Sequence, residues 1–471
     1  MKRLALVSVL MLMGYVGQAQ DTIKVGQTTL VTKVLVDNMA IPWDMSWGPD
    51  GWIWFNERDG DIYRLNPDDT TLIKVFTLPD VFESWDNSGF HAMTLHPDFP
   101  ITPYIFTHYT VGEFKSRLVR WTYDLTLQTL RDSVVIIAHI GGNSSHNGSR
   151  IVFDKDGYLF LSVGDAFVSQ AAQDVHNTNG KILRMTQDGK IPEDNPIPGS
   201  FTWSFGHRNP QGLVFGKNDI LYSSEHGDAT DDEVNIIERG RNYGWPMVEG
   251  FCDKPSEIPL CDSMQSVEPL WAWTPTHAPC GIDYFDHASI PEWRNSLLVT
   301  FLKRQHLTVM PLSDDGRSLK SDTVFDYFVE RYGRIRDVLV SPNGRVFIAT
   351  SNQETNGQWV TPDNYDKIIE IVNPDYDYPE IEIQNYPKQD EAVIFPNPTK
   401  EKVLITLKTD NNELHASIYN SQGYLVRDQK VTTEFSGLWQ VQLPDLPNDI
   451  YTLVYFSGDK TGRKKLVVET E

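Results

Sequence analysis

IPWDMSWGPDGWIWFNERDGDIYRL, residues 41–65, contains the pattern that decides the fold. A turn at Gly48-Pro49-Asp50-Gly51 precedes the apolar run Trp52–Phe55, and a second apolar stretch follows at Asp61–Leu65. Glycine, proline and aspartate favour turns, and short aromatic or β-branched runs between turns predict strands. The segment therefore predicts a turn, a short strand, a polar break and another strand.

The same pattern recurs along the chain. It begins again in HPDFPITPYIFTHY at His96, FDKDGYLFLSVGD at Phe153, FGKNDILYSSEHGD at Phe215, IPEWRNSLLVTFLKRQHLTVMPL at Ile290 and SPNGRVFIATSN at Ser341. Six units at intervals of roughly fifty to seventy residues match propeller blades with insertions. One unit cannot bury both of its faces, so neighbours must stack and the ring must close. The repeats predict an all-β fold with a six-bladed β-propeller. A β-sandwich is the alternative, but two packed sheets do not require six similar units.

The composition limits the classes of partner. The chain has 471 residues, which exceeds one ordinary domain and predicts two. Asp and Glu number 64 against 41 Lys and Arg, which gives a formal charge of −23. Such an acidic protein repels nucleic acid, so we expect no nucleic-acid partner.

The first twenty residues have the features of a secretory signal peptide. Lys2 and Arg3 form a basic start, Leu4–Val16 is an apolar run too short to span a bilayer, and Gly17-Gln18-Ala19 offers a small-residue cleavage site. No other stretch is long and apolar enough for a membrane helix. We therefore expect an exported protein, secreted or held at the cell surface, with no membrane span.

The three cysteines fit an exported protein. Cys252 and Cys261 bracket a short proline-containing loop, and oxidising compartments favour disulfides, so we expect these two to pair. Cys280 is then left as a buried free thiol.

The C-terminal part differs in composition from the repeats. Residues 21–373 hold the repeats, residues 374–390 are rich in Pro, Tyr and acids and predict a linker, and residues 391–471 contain closely spaced short strands. FPNPT, IYNSQG, DIYTLVY and the terminal KKLVVE resemble the C-terminal sorting domain of type IX secretion substrates. The resemblance implies a small β-sandwich that the type IX secretion machinery recognises. An accessory β-sandwich that binds carbohydrate is the alternative.

The stretch from Phe205 to Pro246 has the highest density of polar and glycine residues expected at a site on loops. It contains HRNPQG, SEHGDATDDEVN and GRNYGWP in that order. These motifs resemble the soluble pyrroloquinoline quinone-dependent sugar dehydrogenase family, and the resemblance covers roughly Thr29 to Pro374. It implies a six-bladed propeller that oxidises an aldose, or a related sugar or polyol, by hydride transfer to calcium-bound pyrroloquinoline quinone. An external quinone or cytochrome would then accept the electrons.

The resemblance also implies a catalytic pair. His146 precedes a GSR-strand-GD segment, where the family has its general base, and the near-neutral pKa of histidine suits removal of a hydroxyl proton. The family pattern has an acid directly before this histidine, whereas Ser145 stands here. Arg208 matches the arginine of the family's HRN motif and would stabilise charge that develops on the quinone. Asn209 would donate a hydrogen bond to a cofactor oxygen.

Further cofactor and metal residues follow from the same resemblance. Lys303, Arg334 and Arg336 match family cations, and they suit a cofactor with three carboxylates. The alternative is that each pairs with a local acid. Gly227 and Asp228 match residues whose backbone carbonyls hold calcium, a cation that prefers oxygen ligands, although proline is usual at the second position. Glu233 matches a structural-calcium ligand, and a solvated acidic loop is the alternative.

Three residues are candidates for contact with the substrate. Gln170 matches a family glutamine near the sugar, and Asn87 stands where glutamine or glutamate is usual. Trp273, with Trp271, would supply an aromatic platform, and core packing is the alternative for at least one of the two.

The main competing function is a cofactor-free extracellular binding module, because propellers of this kind also occur without a cofactor. The set of cations and the base favour the enzyme. A lactonase-type hydrolase requires Asn, Asp and Glu side chains around a central calcium, and the sequence shows no such set. No dinucleotide fingerprint or haem-attachment motif is present.

Overall fold

The computed structural model describes residues 21–83, 87–124, 127–353, 365–380, 392–395, 397–407, 411–433, 438–443, 446–458 and 460–469. The chain divides into two compact units, Met1–Ile381 and Glu382–Glu471. The predicted signal peptide, residues 1–20, lies outside the described residues. Within the described ranges, no helix has both the length and the apolar character needed to cross a membrane.

The first unit is built almost entirely of strands, which confirms the predicted all-β class. Its strands are β1 Thr22–Val25, β2 Thr28–Met39, β3 Pro42–Trp47, β4 Ile53–Glu57, β5 Asp61–Leu65, β6 Leu72–Thr77, β7 Phe90–Leu95, β8 Tyr104–Gly112, β9 Lys115–Asp124, β10 Thr129–Gly141, β11 Gly148–Phe153, β12 Leu159–Val163, β13 Lys181–Met185, β14 Thr202–Phe205, β15 Pro210–Phe215, β16 Leu221–Glu225, β17 Asp232–Ile237, β18 Trp271–Trp273, β19 Pro279–Phe285, β20 Ser296–Phe301, β21 Leu307–Pro311, β22 Phe325–Tyr327, β23 Ile335–Val340, β24 Val346–Thr350 and β25 Asp366–Val372. Its described residues also form one α-helix, α1 Ile258–Met264, and 3-10 turns at Ser169–Gln173, Lys217–Asp219 and Pro291–Trp293.

The strands form successive antiparallel sheets. β3–β6, β7–β10, β11–β14, β15–β18 and β19–β22 are four-stranded sheets, and the remaining sheet has the order β1-β2-β25-β24-β23. The first strands of neighbouring sheets contact one another in the order β3, β7, β11, β15, β19 and β23, and β23 contacts β3 again. These innermost strands therefore surround a central axis.

The repeated sequence units lie at the connection between the first and second strand of each sheet. In three of them the turn is the same, because the amide of Gly51, Gly157 or Gly344 donates to the carbonyl three residues earlier. Each of these glycines has a positive φ, between 76° and 84°. That region is strained for residues with a Cβ, which explains the glycine at the end of each turn.

Apolar side chains of neighbouring sheets pack against one another. In one cluster Leu339 and Phe347 of one sheet meet Met45 and Phe55 of the next. Because neighbours cover both faces, a strand such as β4 is buried at every position. Full burial of each such side chain contributes about 1.5–3 kcal/mol, so the stacked sheets supply most of the core.

Polar side chains of the innermost strands converge on the axis in layers. At the second position of β23, Arg336 lies over the ring of Trp43 on β3 at 3.8 Å and donates to Gln211 on β15 and to the thiol of Cys280 on β19. One residue further along the strands, Arg150 on β11 pairs with acids on β3 and β23, Asp44 and Asp337. The layer that contains Arg336 lies directly beneath the loops that precede these strands.

The cysteines are arranged as predicted. Cys252 and Cys261 form a disulfide, and Cys280 is a buried thiol outside it.

The first unit continues beyond its last strand into the predicted linker. The side-chain amide of Asn343 donates to the carbonyl of Pro379, and the ring of Tyr376 lies 5.6 Å from that of His287. Residues 374–380 thus belong structurally to the first unit, and the rest of the predicted linker lies outside the described residues.

The second unit contains two antiparallel sheets around one core. Its strands are β26 Val393–Phe395, β27 Lys402–Thr406, β28 Glu413–Tyr419, β29 Leu425–Thr432, β30 Leu438–Gln442, β31 Asp449–Ser457 and β32 Lys460–Val468. The sheet orders are β26-β27-β30 and β29-β28-β31-β32. Trp439 and Ile405 of the first sheet are buried with Leu453 and Tyr455 of the second.

Candidate functional site

The candidate site lies where the innermost strands begin. His146 precedes β11, Arg208 and Asn209 precede β15, and Arg334 precedes β23. In an antiparallel pair the second strand ends beside the start of the first, as in the pairing of Pro210 with Glu225. The loop that follows the second strand of each sheet therefore lies at the same end of the ring as the loop that precedes the first strand.

His146 is held by an aspartate from the loop after β12. Its Nδ1 lies 2.9 Å from Oδ1 of Asp165, whose carboxylate also accepts hydrogen bonds from the Phe167 amide and from Nε1 of Trp245, at 2.9 and 2.8 Å. An ionised carboxylate only accepts hydrogen bonds, so Nδ1 carries the proton and Nε2 presents a lone pair. This tautomer is the one that can take up a proton from a substrate hydroxyl.

Asn87 lies beside the loop that carries His146. Its backbone amide donates to the carbonyl of Ser144 at 2.7 Å, and its side-chain Nδ2 lies 3.4 Å from Oγ of Ser145. The structure thus brings Asn87 next to the base. Ser145, at the position of the expected acid, is not the partner of the imidazole.

Arg208 is enclosed on several sides. Its guanidinium lies 5.2 Å from the ring centre of Trp245, and Nη2 donates to Asp228 Oδ1 at 2.9 Å. Nε of Arg208 is buried and has no hydrogen-bond partner among the described residues. A buried donor without a partner costs free energy, so this atom points to a missing acceptor.

Glu225 shapes the loop that presents Arg208 and Asn209. One carboxylate oxygen accepts the backbone amides of both residues, and the other lies 2.9 Å from Nδ1 of His207. Asn209 is buried, and its side-chain oxygen accepts the Gly148 amide at 3.0 Å. The Asn209 side chain therefore ties the start of β15 to the start of β11.

His226 lies close to Arg208, whose Nη1 donates to the His226 carbonyl at 3.4 Å. Burial, and then the charges of the nearby arginines, Arg336, Arg208 and Arg334 in that order, lower the pKa of His226 to about 3. The imidazole is consequently neutral throughout the physiological range. Its Nε2 is buried without a hydrogen-bond partner in the described part of the chain. Positive charge with unmatched polar atoms is the environment that an anionic, oxygen-rich ligand needs.

Lys303 lies on the side of the site nearest to β17. Its ammonium donates to Oγ1 of Thr276 at 2.8 Å, and its charge lowers the pKa of Asp232. Burial outweighs that charge and raises the Asp232 pKa to about 6. Asp232 accepts the Gly227 amide at 2.9 Å and the amides of His277 and Ala278. It thereby joins the loop of Gly227 to the loop between β18 and β19, whose Thr276 accepts the hydrogen bond from Lys303.

The carboxylate of Glu233, the predicted ligand of a structural calcium ion, is already engaged in hydrogen bonds. Both carboxylate oxygens of Glu233 already accept hydrogen bonds, from Gly250 and Asn235 at 2.7 and 2.8 Å. Burial and the nearby Glu225 raise the pKa of Glu233 to about 8. A cation near these two carboxylates would relieve their repulsion.

One acidic group elsewhere has the spacing of a side-chain metal site. In the described residues, the carboxylates of Glu57, Asp59 and Asp61 lie within 4.8 Å of one another. Asp61 is already paired with Lys74 at 2.6 Å. The group includes none of the predicted calcium ligands.

The remaining substrate candidates differ in their placement. Gln170 is exposed at the start of a 3-10 turn five residues after Asp165. Trp273 is buried between two sheets, with its ring 4.9 Å from that of Phe301, so its side chain contributes to the core. Trp271 is partly buried and packs against the same cluster.

Four residues at the site had no role in the sequence-based prediction: Asp165, Glu225, His226 and Trp245. All four lie in motifs that the sequence made visible, namely SVGD, SEHGD and GRNYGWP. The glycine-flanked acid after a strand was the available signal for Asp165.

Comparison with known families identifies both units. The family model described as glucose/sorbosone dehydrogenase matches residues 39–360. The model described as secretion system C-terminal sorting domain matches residues 393–469. The second match identifies the C-terminal unit as a secretion sorting domain.

Individual relatives resemble the first unit along most of their length. Quinoprotein glucose dehydrogenase B of Acinetobacter calcoaceticus is 30% identical over 69% of this chain and 86% of its own. An aldose sugar dehydrogenase of Escherichia coli is 29% identical over 71% of this chain and 94% of its own. The PQQ-bound aldose sugar dehydrogenase of Streptomyces coelicolor superposes with a TM-score of 0.63 at 29% identity, covering 73% of this chain and 98% of its own.

Proposed function

The chain belongs to the glucose/sorbosone dehydrogenase family, and from this premise we propose that it is an exported quinoprotein that oxidises a sugar at a hydroxyl-bearing carbon. The observation that carries the proposal is the hydrogen-bonded pair of His146 and Asp165 beside Arg208, which Trp245 links by donating to Asp165 and packing against the guanidinium. The charges of Arg334 and Arg336 act on the neighbouring His226. A binding module without a cofactor has no need for an oriented base next to a cluster of cations.

In this proposal the first unit is a six-bladed propeller, with each sheet a blade. The contact of β23 with β3 supports closure of the ring. The second unit is a small β-sandwich, because its two sheets enclose one core.

The site fits pyrroloquinoline quinone, which carries three carboxylates. Arg334, Arg336 and Lys303 would bind these carboxylates, with Arg208 and Asn209 near the quinone oxygens. Two buried nitrogen atoms, Nε of Arg208 and Nε2 of His226, have no hydrogen-bond partner among the residues that the structure describes, and they fit an acceptor-rich ligand. When bound, the quinone supplies the two-electron acceptor for the oxidation of the sugar.

His146 acts on the substrate hydroxyl. Nε2 accepts the hydroxyl proton, and the carboxylate of Asp165 stabilises the imidazolium that forms. The indole of Trp245 holds the other oxygen of that carboxylate, which fixes the orientation of the imidazole. Gln170 and Asn87 would bind further hydroxyls of the sugar, whereas Trp273 would act indirectly through the packing beneath the site.

Calcium would bind at the carbonyls of Gly227 and Asp228, with Glu233 at a structural calcium site. Carbonyl and carboxylate oxygens are the ligands that calcium prefers. Asp228 can supply its carbonyl while its side chain remains paired with Arg208. As a Lewis acid, the ion would increase the electrophilicity of the cofactor.

The C-terminal unit supports export by the type IX machinery to the cell surface or beyond. The N-terminal signal peptide would first direct the chain across the inner membrane. An external quinone or cytochrome would accept the electrons there.

Reconstitution tests this function directly. Purified protein is mixed with pyrroloquinoline quinone and calcium, and its absorbance spectrum is recorded before and after sugars are added. Reduction of the bound quinone by an aldose is the expected result. Tight binding of a sugar with no spectral change would instead establish the cofactor-free binding module.

A further inference from the structure

An exposed aromatic ring covers the proposed base. The ring of Phe167 lies with its centroid 4.1 Å from that of the His146 imidazole, at an interplanar angle of 31°. Phe167 and its neighbour Val168 are 56% and 59% exposed. Burial of large apolar side chains stabilises a fold, so two adjacent exposed ones beside a base require a reason.

The backbone holds Phe167 in this position at a cost in conformational energy. Ala166 and Phe167 have φ values of 49° and 62°, in the left-handed region that bulky residues rarely adopt. The amide of Ala166 donates to the carbonyl of His146 at 3.0 Å, and that of Phe167 donates to Asp165 at 2.9 Å. Such strain concentrates at functional sites, where surrounding contacts over-determine the geometry.

The loop therefore couples the aromatic ring to the catalytic pair. The carboxylate that orients the imidazole also fixes the amide of Phe167. The exposed side chain of Gln170 follows three residues later in the same segment. An apolar plane and a hydrogen-bonding amide then lie within residues 165–170, whose first residue, Asp165, orients the base His146.

We propose that Phe167 is a sugar-binding residue that selects a cyclic pyranose by packing against its C–H face. The inference rests on the proposed sugar oxidation and specifies its substrate class. A pyranose chair presents a rigid, nearly flat apolar face that an aromatic ring can cover. An acyclic polyol has no fixed face of this kind and must lose more rotational freedom to form one.

Sugar binding to the cofactor-free protein provides the test, with Phe167→Gly as the variant. Saturation-transfer NMR with glucose, galactose, sorbitol and mannitol measures which protons contact the protein and how tightly each compound binds. We expect the parent to bind the two pyranoses through their C–H protons. The variant should bind them about tenfold more weakly. Loss of the apolar contact should cost about 1.4 kcal/mol, which corresponds to a tenfold change in the dissociation constant.

Stability separates a binding role from a structural one. Phe167→Ala and Phe167→Gly both remove the ring, but glycine also relieves the left-handed strain, so the glycine variant should melt at the higher temperature of the two.

Phe325→Ala is the matched control, because Phe325 is an exposed phenylalanine on the outer strand β22. It should leave sugar binding unchanged.

Distinct outcomes would overturn the proposal. Pyranose binding by Phe167→Gly at the parent's affinity, equal binding of polyols and pyranoses by the parent, or no pyranose binding at all would each reject it. A different result separates this proposal from the proposed oxidation. If no sugar reduces the bound quinone, but the parent binds pyranoses more tightly than polyols and Phe167→Gly weakens pyranose binding, the oxidation is rejected and the role of Phe167 in sugar binding stands.

Discussion

Asp165 Oδ1 lies 2.9 Å from Nδ1 of His146, although nineteen residues separate the two in sequence. The acid that orients the base thus comes from the end of a neighbouring strand and not from the residue before it. Ser145 is free to contact Asn87 instead. The proposed base therefore keeps a carboxylate partner despite its departure from the family pattern.

His146→Gln should leave quinone binding nearly intact but slow quinone reduction by sugar. Glutamine cannot take up the proton, and general bases typically contribute about 10²- to 10⁴-fold. Stopped-flow absorbance of the reconstituted protein separates the two steps. A variant that reduces quinone at the parent's rate would show that another group is the base.

Asp165→Asn should also slow the reduction step, because an amide can donate to Nδ1 and favour the wrong tautomer. Trp245→Phe is its matched control, since it removes the hydrogen bond to the other carboxylate oxygen and keeps an aromatic ring beside Arg208. The asparagine variant should be the slower of the two in single-turnover reduction. The reverse order would argue against the tautomer assignment.

Arg208→Ala should weaken both quinone affinity and the reduction step. It removes a charge that faces the cofactor, and loss of one electrostatic donor costs about 3 kcal/mol. Titration of quinone into the apoprotein, followed by stopped-flow reduction, measures each effect. Asp228→Asn, which keeps the carbonyl but loses the exposed ion pair, should change either quantity far less.

Removal of calcium should abolish activity, and added calcium should restore it. Magnesium should substitute poorly because it prefers a smaller, water-rich octahedral site. Activity and metal content after chelation check this dependence. Glu233→Gln should reduce the rise in melting temperature on adding calcium, whereas Glu57→Gln, in the separate acidic group, should not. Full activity of metal-free protein would reject a calcium requirement.

The contribution of Asp283 to the stability of the apoprotein should fall as the pH rises from about 4 to about 7. Burial raises the pKa of Asp283 from its usual 3.8 to about 7, so the folded state binds more protons than the unfolded state in this window. Asp283→Asn should remove the share of the slope that one proton contributes, about 1.4 kcal/mol per pH unit within this window. The exposed Asp322 provides the control Asp322→Asn. Parallel pH profiles for parent and Asp283→Asn would contradict the prediction.

A protein that ends at Glu380 should fold and retain activity. It keeps β25 and the contacts of Pro379 and Tyr376 with the first unit, while it lacks the sorting domain. A chain that ends at Pro374 should melt at a lower temperature, because those contacts are lost. Calorimetry and activity of both truncations measure this, and an unfolded 1–380 protein would show that the units depend on each other.

The strand pattern was predictable because its causes are local. Turn residues such as Asp50 and Gly51 and the apolar runs that follow them act over a few positions. The pairing of Cys252 with Cys261 was likewise predictable from a short loop.

The roles of Asp165, Glu225 and Trp245 were not predictable from residue pattern alone. Each acts through a contact with a residue that is 17 to 80 positions away in sequence, so its role appears only when the folded sheets bring those segments together. The burial of Trp273 against Phe301 illustrates the same limit. A tryptophan in a strand has the same signature whether it faces a ligand or a neighbouring sheet.

The sheet that contains both β2 and β25 has a consequence for biogenesis. Val31 pairs with Val372, so this sheet is complete only when the last strand of the first unit has been made. Until then β2 and β24 each present an unpaired edge, which invites association with other chains. Joining segments so distant in sequence is also entropically slow. A chain on its way out of the cell should therefore need protection by a chaperone until β25 is in place, and ring closure should be the slow step of its maturation.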